Sequence, residues 1–295
     1  MTTHQALSSR RSFLRRSAVA GAVAAAALNR LDYSNAATTT LRPPRGYRLA
    51  WHDEFDRDGR PNPRYWGCEH GFVRNHEAQW YQPENAFCRD GRLIIQARRQ
   101  RVKNPDYRAD GDWRQRRQFA EYTSAALSTR GKRAWQFGLF AMRARLDTRP
   151  GLWPAWWMLG ISKPWPACGE IDIMEYYAGH VNANVAWQNA AGRAQWVSKF
   201  TPVGGPHDPF WAKRFHLWVM DWQPSYIRLY MDGTLYNHVD LTRTLDPRFN
   251  NFNPFHQPAY MILDLAVGGR SGGNPAGTRF PGYFEVDYIR VYQRR

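Results

Sequence analysis

Nowhere in these 295 residues do apolar side chains recur with the sustained 3.6-residue period of an amphipathic helix. Short runs alternate apolar and polar instead, broken by Gly, Pro, Asn and Asp, which is the signature of a sandwich or barrel of strands. Tyr226 to Met231 and Thr234 to Val239 flank Asp232-Gly233, the strongest short hairpin signal in the chain. Arg92 to Ala97 follows the turn Asp90-Gly91, and Phe137 to Leu146 alternates as a strand. Val286 to Tyr292 closes the chain, with Val286, Tyr288, Arg290 and Tyr292 on one face and Asp287, Ile289 and Val291 on the other. Arg98 to Arg117 and Ala190 to Pro209 read as long excursions between strands, of the kind that wall a cleft. With no internal repeat, one all-β domain over 47–295 is expected.

Gly169-Glu170-Ile171-Asp172-Ile173-Met174-Glu175 sets three carboxylates within six residues. Period 2 puts Glu170 and Asp172 on one face of a strand and the isoleucines toward a core. Glu175 would face the other way, unless Met174 is the extra residue of a β-bulge that swings it back. The backbones of the two glutamates then stand four steps apart, roughly 13 Å at about 3.3 Å per residue. Carboxyl groups leaning together across that span can reach the ~5–5.5 Å of a retaining glycosidase. Such chemistry divides the work: Glu170 ionised as nucleophile, Glu175 protonated as acid and then base, its pKa raised by the charge of Glu170. Asp172, between them, orients Glu170. A solvated acidic edge strand or a calcium-binding cluster would use the same residue types, and spacing alone leaves both open.

The stretch Trp165-Pro166-Ala167-Cys168-Gly169 followed by Glu170 to Glu175 resembles the catalytic signature of glycoside hydrolase family 16 in its bulged, laminarinase-like form. Trp51 to Phe55, Tyr122 to Ala125, Gly151 to Leu159, Leu265 to Gly269 and Val286 to Tyr292 resemble further family blocks in the family's order, so that the likeness covers most of 47–293. The resemblance implies a β-jelly-roll sandwich (concanavalin-like) with a sugar-binding cleft, and endo-acting retaining hydrolysis. It gives the first glutamate as nucleophile and the last as acid/base, in agreement with the geometric assignment.

Around the acids, Trp153, Trp157 and Trp165 are candidates to stack on pyranose faces, while Trp156 is expected in the core. Asn75 and Glu77 look like the family's Asn-Glu segment at the negative subsites. Two departures stand out: Asn182 to Asn189 lacks a histidine that many members carry beside the acid/base, leaving Asn184 or Gln188 as the hydrogen-bond donor, and Asp264 stands where Asn is frequent. His256 and Gln257 precede that strand and are placed to reach substrate. Glu54, Gly91 and Asp287 match positions that hold a structural calcium in many members, partly through backbone oxygens; catalysis itself requires no cofactor.

Ser9-Arg10-Arg11-Ser12-Phe13-Leu14-Arg15 resembles a twin-arginine export signal, followed by the apolar run Ala18 to Leu28 and the small-x-Ala site Ser34-Asn35-Ala36. That run is too short to span a bilayer of about 30 Å. Residues 1–36 are therefore expected to be a signal peptide and 37–46 a linker, giving a periplasmic or extracellular monomer without a membrane span. The formal charge is +16, and the five arginines and one aspartate of 1–36 account for +4, leaving +12. The arginines are dispersed and no nucleic-acid motif is present, so the partner expected is a polysaccharide and not a nucleic acid. Of the cysteines, Cys68 and Cys88 are the pair open to bridging, and Cys168 is expected to pack as a small buried residue. The expected function is endo-hydrolysis of a β-1,3- or mixed β-1,3/1,4-glucan by double displacement. Rivals are a hydrolase of agar- or carrageenan-like β-galactans, which the basic charge favours, a transglycosylase using the same acids, and a non-catalytic carbohydrate-binding protein.

Overall fold

The computed structural model describes residues 41–295, so the signal peptide expected at 1–36 and linker residues 37–40 lie outside the described residues. The remainder is an all-β sandwich. One sheet has seven strands in the order Ala194–Pro202, His180–Gln188, Glu170–Tyr177, Leu152–Gly160, Ala259–Val267, Ala126–Ser128 and Gly67–Cys68. The other runs Thr234–Asp240, Tyr226–Met231, His216–Gln223, Gly138–Leu146, Gly282–Arg294, Leu93–Lys103, Phe119–Ser124 and Gln79–Tyr81, with Tyr47–Asp53 and Ala86–Cys88 attached beside this path. Pairing is antiparallel except between Gln79–Tyr81 and Phe119–Ser124. The expected hairpin forms, Met231 opposite Thr234, with Asp232 and Gly233 both at positive φ.

Between the sheets lies a core to which the seven-stranded layer contributes Trp156, Met158, Ile171, Ile173, Met174 and Leu263, and the other layer Phe140, Met142, Trp218, Met220 and Trp222. Each such side chain contributes about 1.5–3 kcal/mol by leaving water. The tryptophans of Leu152–Gly160 therefore divide by pleat: Trp156 is fully buried, as expected, while Trp153 and Trp157 on the opposite pleat reach the outer, concave face of the seven-stranded sheet.

The bulge in the acidic strand is present. Asp172 pairs with Trp157 and Met174 with Trp156, so Ile173 is the extra residue against that neighbour; on the other side Asp172 pairs with Asn184 and Glu175 with Asn182. Ile173 and Met174 are both buried, and the alternation resumes with Glu175 on the face of Glu170 and Asp172. A second bulge corrects the reading of the last strand. Its register shifts between Val286 and Tyr288, so Val286 joins Ile289 and Val291 in the main core while Tyr288 and Tyr292 pack in a separate cluster on the outer face. The excursions shrink as well: Leu93–Lys103 runs into the first as strand, and Ala194–Pro202 makes the second an edge strand of the concave sheet. All three cysteines are free thiols, so Cys68 and Cys88 do not bridge; Cys168 is buried as expected.

A bulge leaves a ladder group unpaired, and here a side chain from the opposite sheet answers it: the buried Tyr236 hydroxyl donates to the carbonyl of Ile173. Tyr236→Phe should leave that buried carbonyl without a donor and cost about 1–3 kcal/mol in denaturant unfolding. A loss below about 0.5 kcal/mol would mean that the bulge does not depend on this bond.

Candidate active site

The concave sheet forms the floor of a cleft of about 600 Å³. Its side chains stand in rows across the strands. Leu159, Glu170, Ala186 and Trp196 form one row, Trp157, Asp172, Asn184 and Ser198 the next, and Asp264, Ala155, Glu175, Asn182 and Phe200 the third.

Each acid has a dedicated donor. Trp165 Nε1 donates to Glu170 Oε2 at 2.5 Å, and Trp153 Nε1 to Glu175 Oε1 at 2.9 Å. Asn184 Nδ2 serves two acids, Asp172 Oδ2 at 3.1 Å and Glu175 Oε2 at 2.9 Å, and so is the one of the two expected donors, Asn184 and Gln188, that reaches the acids. Burial pushes all three carboxyls up. For Glu175 burial is followed by the charge of Glu170, and together they carry it to about 8 despite the bond from Trp153. Asp172 is raised well above the ordinary carboxyl range, through burial and then the charges of Glu175 and Glu170. Glu170 is also raised by burial, but hydrogen bonds from Trp165 and Asp172 and the charge of Arg74 pull it back. Asp172 is thus the proton-bearing partner and Glu170 the acceptor, which keeps the negative charge on Glu170.

A second polar cluster lies along the floor. Glu77 is 2 % exposed and accepts from Asn75 Nδ2 at 3.3 Å and Gln79 Nε2 at 2.7 Å. Asp264 accepts from Trp157 Nε1 at 2.7 Å and the Tyr81 hydroxyl at 3.0 Å. Arg74 is ion-paired to Glu69 and stacks over Trp157, 5.1 Å from the ring centroid. Burial raises Glu77 to about 7 and Asp264 to about 6, with Arg74 opposing both shifts.

Glu170, Asp172, Glu175, Asn75, Glu77, Trp153, Trp157, Trp165 and Asn184 all line this cleft. Gln188 and Gln257 do not. The Gln188 amide is buried and donates to Asp246 Oδ2 at 2.9 Å. Gln257 is buried beneath the Trp165 loop, accepting from Ser162 and donating to the carbonyls of Cys168 and Pro254. His256 reaches the carbonyl of Pro224. The expectation that Gln188 and Gln257 touch substrate is therefore corrected: their amides are consumed in buttressing loops. Sequence reasoning passed over Arg74, Tyr177, Trp196, Ser198, Phe200 and Arg270, which also line the cleft. The signal for Trp196 and Phe200 was present, as an alternation from Ala194 to Pro202.

The calcium positions lie on the other sheet's side. Both Glu54 oxygens accept from Arg290 at 2.8 Å, and Asp287 accepts from Arg143 at 2.7 Å. Beside Gly91 stand Asp56, its Oδ1 4.0 Å from where a Cβ would be, and Asp58, which accepts from the Asp90 backbone N–H. Among the described residues no helix is long and apolar enough to cross a membrane.

The sequence pattern of Glycosyl hydrolases family 16 matches residues 75–290. The chain belongs to this family. It is 37% identical over 262 residues to a beta-glucanase of Rhodothermus marinus, spanning 84% of this chain and 85% of that protein. A glucan endo-1,3-beta-glucosidase A1 of Niallia circulans is 31% identical over 85% of this chain, which spans 38% of that longer protein. The laminarinase catalytic domain of Thermotoga petrophila superimposes with a TM-score of 0.70 at 32% identity, covering 84% of this chain and 98% of that one. A solved structure from work on endo-acting O-glycanases of the human gut microbiota gives 0.78 at 30% identity, covering 85% and 92%. This family 16 chain is a glycosidase on an all-β jelly-roll scaffold.

The raised carboxyls fix the sign of a pH effect. Glu175 keeps its proton in the folded chain above the ordinary 4.5 and loses it near 8, so its contribution is fully present below about 4.5 and disappears as pH rises through 8. Glu175→Gln removes that titration while keeping the shape. It should raise Tm at pH 8.5, where the wild-type carboxyl is ionised, and leave it unchanged at pH 4. Equal Tm differences at the two pH values would show that the carboxyl titrates normally.

Proposed function

We propose that the chain is an endo-acting, retaining hydrolase of β-1,3- or mixed β-1,3/1,4-glucan. The observation that carries this reading is the bulge at Ile173 and Met174, which brings Glu170 and Glu175 to one cleft face with the protonated Asp172 between them. In the first step a Glu170 oxygen attacks the anomeric carbon while the bond from that carbon to the glycosidic oxygen of the leaving sugar breaks and Glu175 delivers its proton to the departing glycosidic oxygen. In the second, water gives a proton to Glu175 and its oxygen displaces Glu170, restoring both groups. No cofactor enters. Glucan relatives and glucanase neighbours support the substrate class. We place the enzyme outside the cytoplasm, on the twin-arginine segment, acting as a monomer.

A second substrate reading has its own support. Arg270 stands exposed on the cleft wall among a chain of net positive charge, and a keratan-sulfate endo-1,4-beta-galactosidase of Sphingobacterium multivorum is 26% identical over 84% of this chain. An anionic galactan is therefore included in the test.

Reducing-end release on laminarin, barley β-glucan, agarose and keratan sulfate by residues 37–295, with Glu170→Gln as control, tests both readings. Turnover on a glucan should fall by at least about 10³-fold in Glu170→Gln. Release confined to keratan sulfate would replace the glucan, and release that survives the substitution would remove Glu170 from the chemistry. The pH profile of kcat/KM should fall on the alkaline side near 8, where Glu175 loses its proton, and on the acid side where Glu170 gains one. Because the Trp165 indole lowers the Glu170 pKa, Trp165→Phe should move the acid limb to higher pH and leave the alkaline limb in place.

A further inference from the structure

The polar cluster and the catalytic strand account for one flank of the cleft. The other flank ends in Ala194–Pro202, the edge of the seven-stranded sheet, where Val197 turns to the core while Trp196, Ser198 and Phe200 face the cleft. Trp196 is 45% exposed and Phe200 58%. Two large rings on an edge strand, in register with Glu170 and Glu175 through Ala186 and Asn182, are costly to leave in water and invite a covering partner. Between them and the acids, Asn184 is 5% exposed, and its Oδ1 has no hydrogen-bond partner while its Nδ2 is committed to Asp172 and Glu175. That oxygen is closed off from solvent, so the polar side chain this flank offers to a ligand is Ser198. Two strand spacings separate the acids from this edge, about 10 Å, the span of about two pyranose rings.

We propose that Trp196 and Phe200, with Ser198 between them, form the binding site for the leaving-group side of the β-glycan, and for the acceptor sugar when transfer replaces hydrolysis. The assignment rests on the double-displacement reading above. The two flanks differ as that reaction demands. The sugar bonded to Glu170 must stay through both steps, and the Asn75, Glu77 and Asp264 flank offers it buried polar groups. The sugar on the other side must depart between the steps so that water can enter. Flat, half-exposed rings hold an apolar pyranose face without locking its hydroxyls, and Ser198 offers it a single polar contact.

The test compares the full chain with Trp196→Ala/Phe200→Ala on two substrates and in one binding measurement. On a long glucan the double variant should lose about tenfold in kcat/KM and form less transfer product per hydrolysis product at high oligosaccharide concentration. On the 4-nitrophenyl glycoside of a short glucan oligosaccharide, whose leaving group ends before the edge strand, it should stay within about twofold. In a Glu170→Gln background, affinity for a gluco-hexasaccharide should drop about tenfold when both rings are removed. Unchanged affinity and an unchanged transfer ratio would overturn the proposal, as would concentration-dependent self-association that the double variant abolishes, since the rings would then cover a second copy. A chain that cuts neither substrate, yet loses hexasaccharide affinity with the rings, would sink the hydrolase reading and leave this site standing.

Discussion

Three carboxyl groups on one strand face, lifted out of bulk water, cannot all give up their protons, and the arrangement around them decides which one does. Burial raises every member. The difference comes from donors: Trp165 and Asp172 both point hydrogen toward Glu170, while Glu175 feels the Glu170 charge across the bulge. The result is a graded set, one ionised group and two protonated ones, from three chemically similar side chains. Asp172 matters because it is the most deeply buried of the three, 2 % exposed, and burial holds its pKa well above the ordinary carboxyl range.

That grading presupposes geometry, and the geometry presupposes the bulge. Two successive apolar residues, Ile173 and Met174, both drop into the core, and the strand resumes its pleat with Glu175 upward. The fold secures this irregularity from outside the strand. Tyr236 supplies the donor that the bulged carbonyl lacks. At the strand's entrance Gly169 takes φ +77° with Pro254 and Phe255 packed where a Cβ would sit, 2.9 and 3.1 Å away, so a side chain there would be strained and crowded at once. Gln257, expected at the substrate, instead pins the neighbouring loop that carries Trp165.

What could be read from the sequence was what local periodicity encodes. The acid alternation, the break before Glu175, the Asp232-Gly233 turn and the burial of Trp156 follow from a two-residue period and turn chemistry. What escaped it was long range. The Tyr81 bond to Asp264 joins residues 183 positions apart, and Tyr236 reaches Ile173 over 63; no window of sequence contains either pair. The Val286 face failed for a local reason, because a bulge at Asp287 shifts the pleat without any glycine to announce it. Ala194–Pro202 does alternate, with Trp196 and Phe200 on one pleat, but the core-facing pleat carries Gln195, Lys199 and Thr201 beside Val197, so the apolar face is the one turned to the cleft. An edge strand that binds ligand on one face and meets solvent at its rim need not look amphipathic in the usual sense.

Asp264 shows how a single departure is absorbed by its surroundings. A carboxyl here adds a third acid to a cluster that already holds Glu77 and Glu69, and Arg74 answers it: buried, paired with Glu69 and kept charged against burial by the carboxylates around it. Two neutral donors, Tyr81 and Trp157, complete the Asp264 shell, and in accepting from Trp157 it fixes the plane of a ring that lines the cleft. Its charge is also felt beyond the cluster. Asp264 shares a row with Glu175, one residue removed across Ala155, and pushes the Glu175 pKa up in the same sense as Glu170 does. An amide at this position could accept from Trp157, but it would withdraw that push. The acid therefore links the ring that lines one flank of the cleft to the proton that the reaction spends, and Arg74 is what makes so many carboxyl groups tolerable on one sheet.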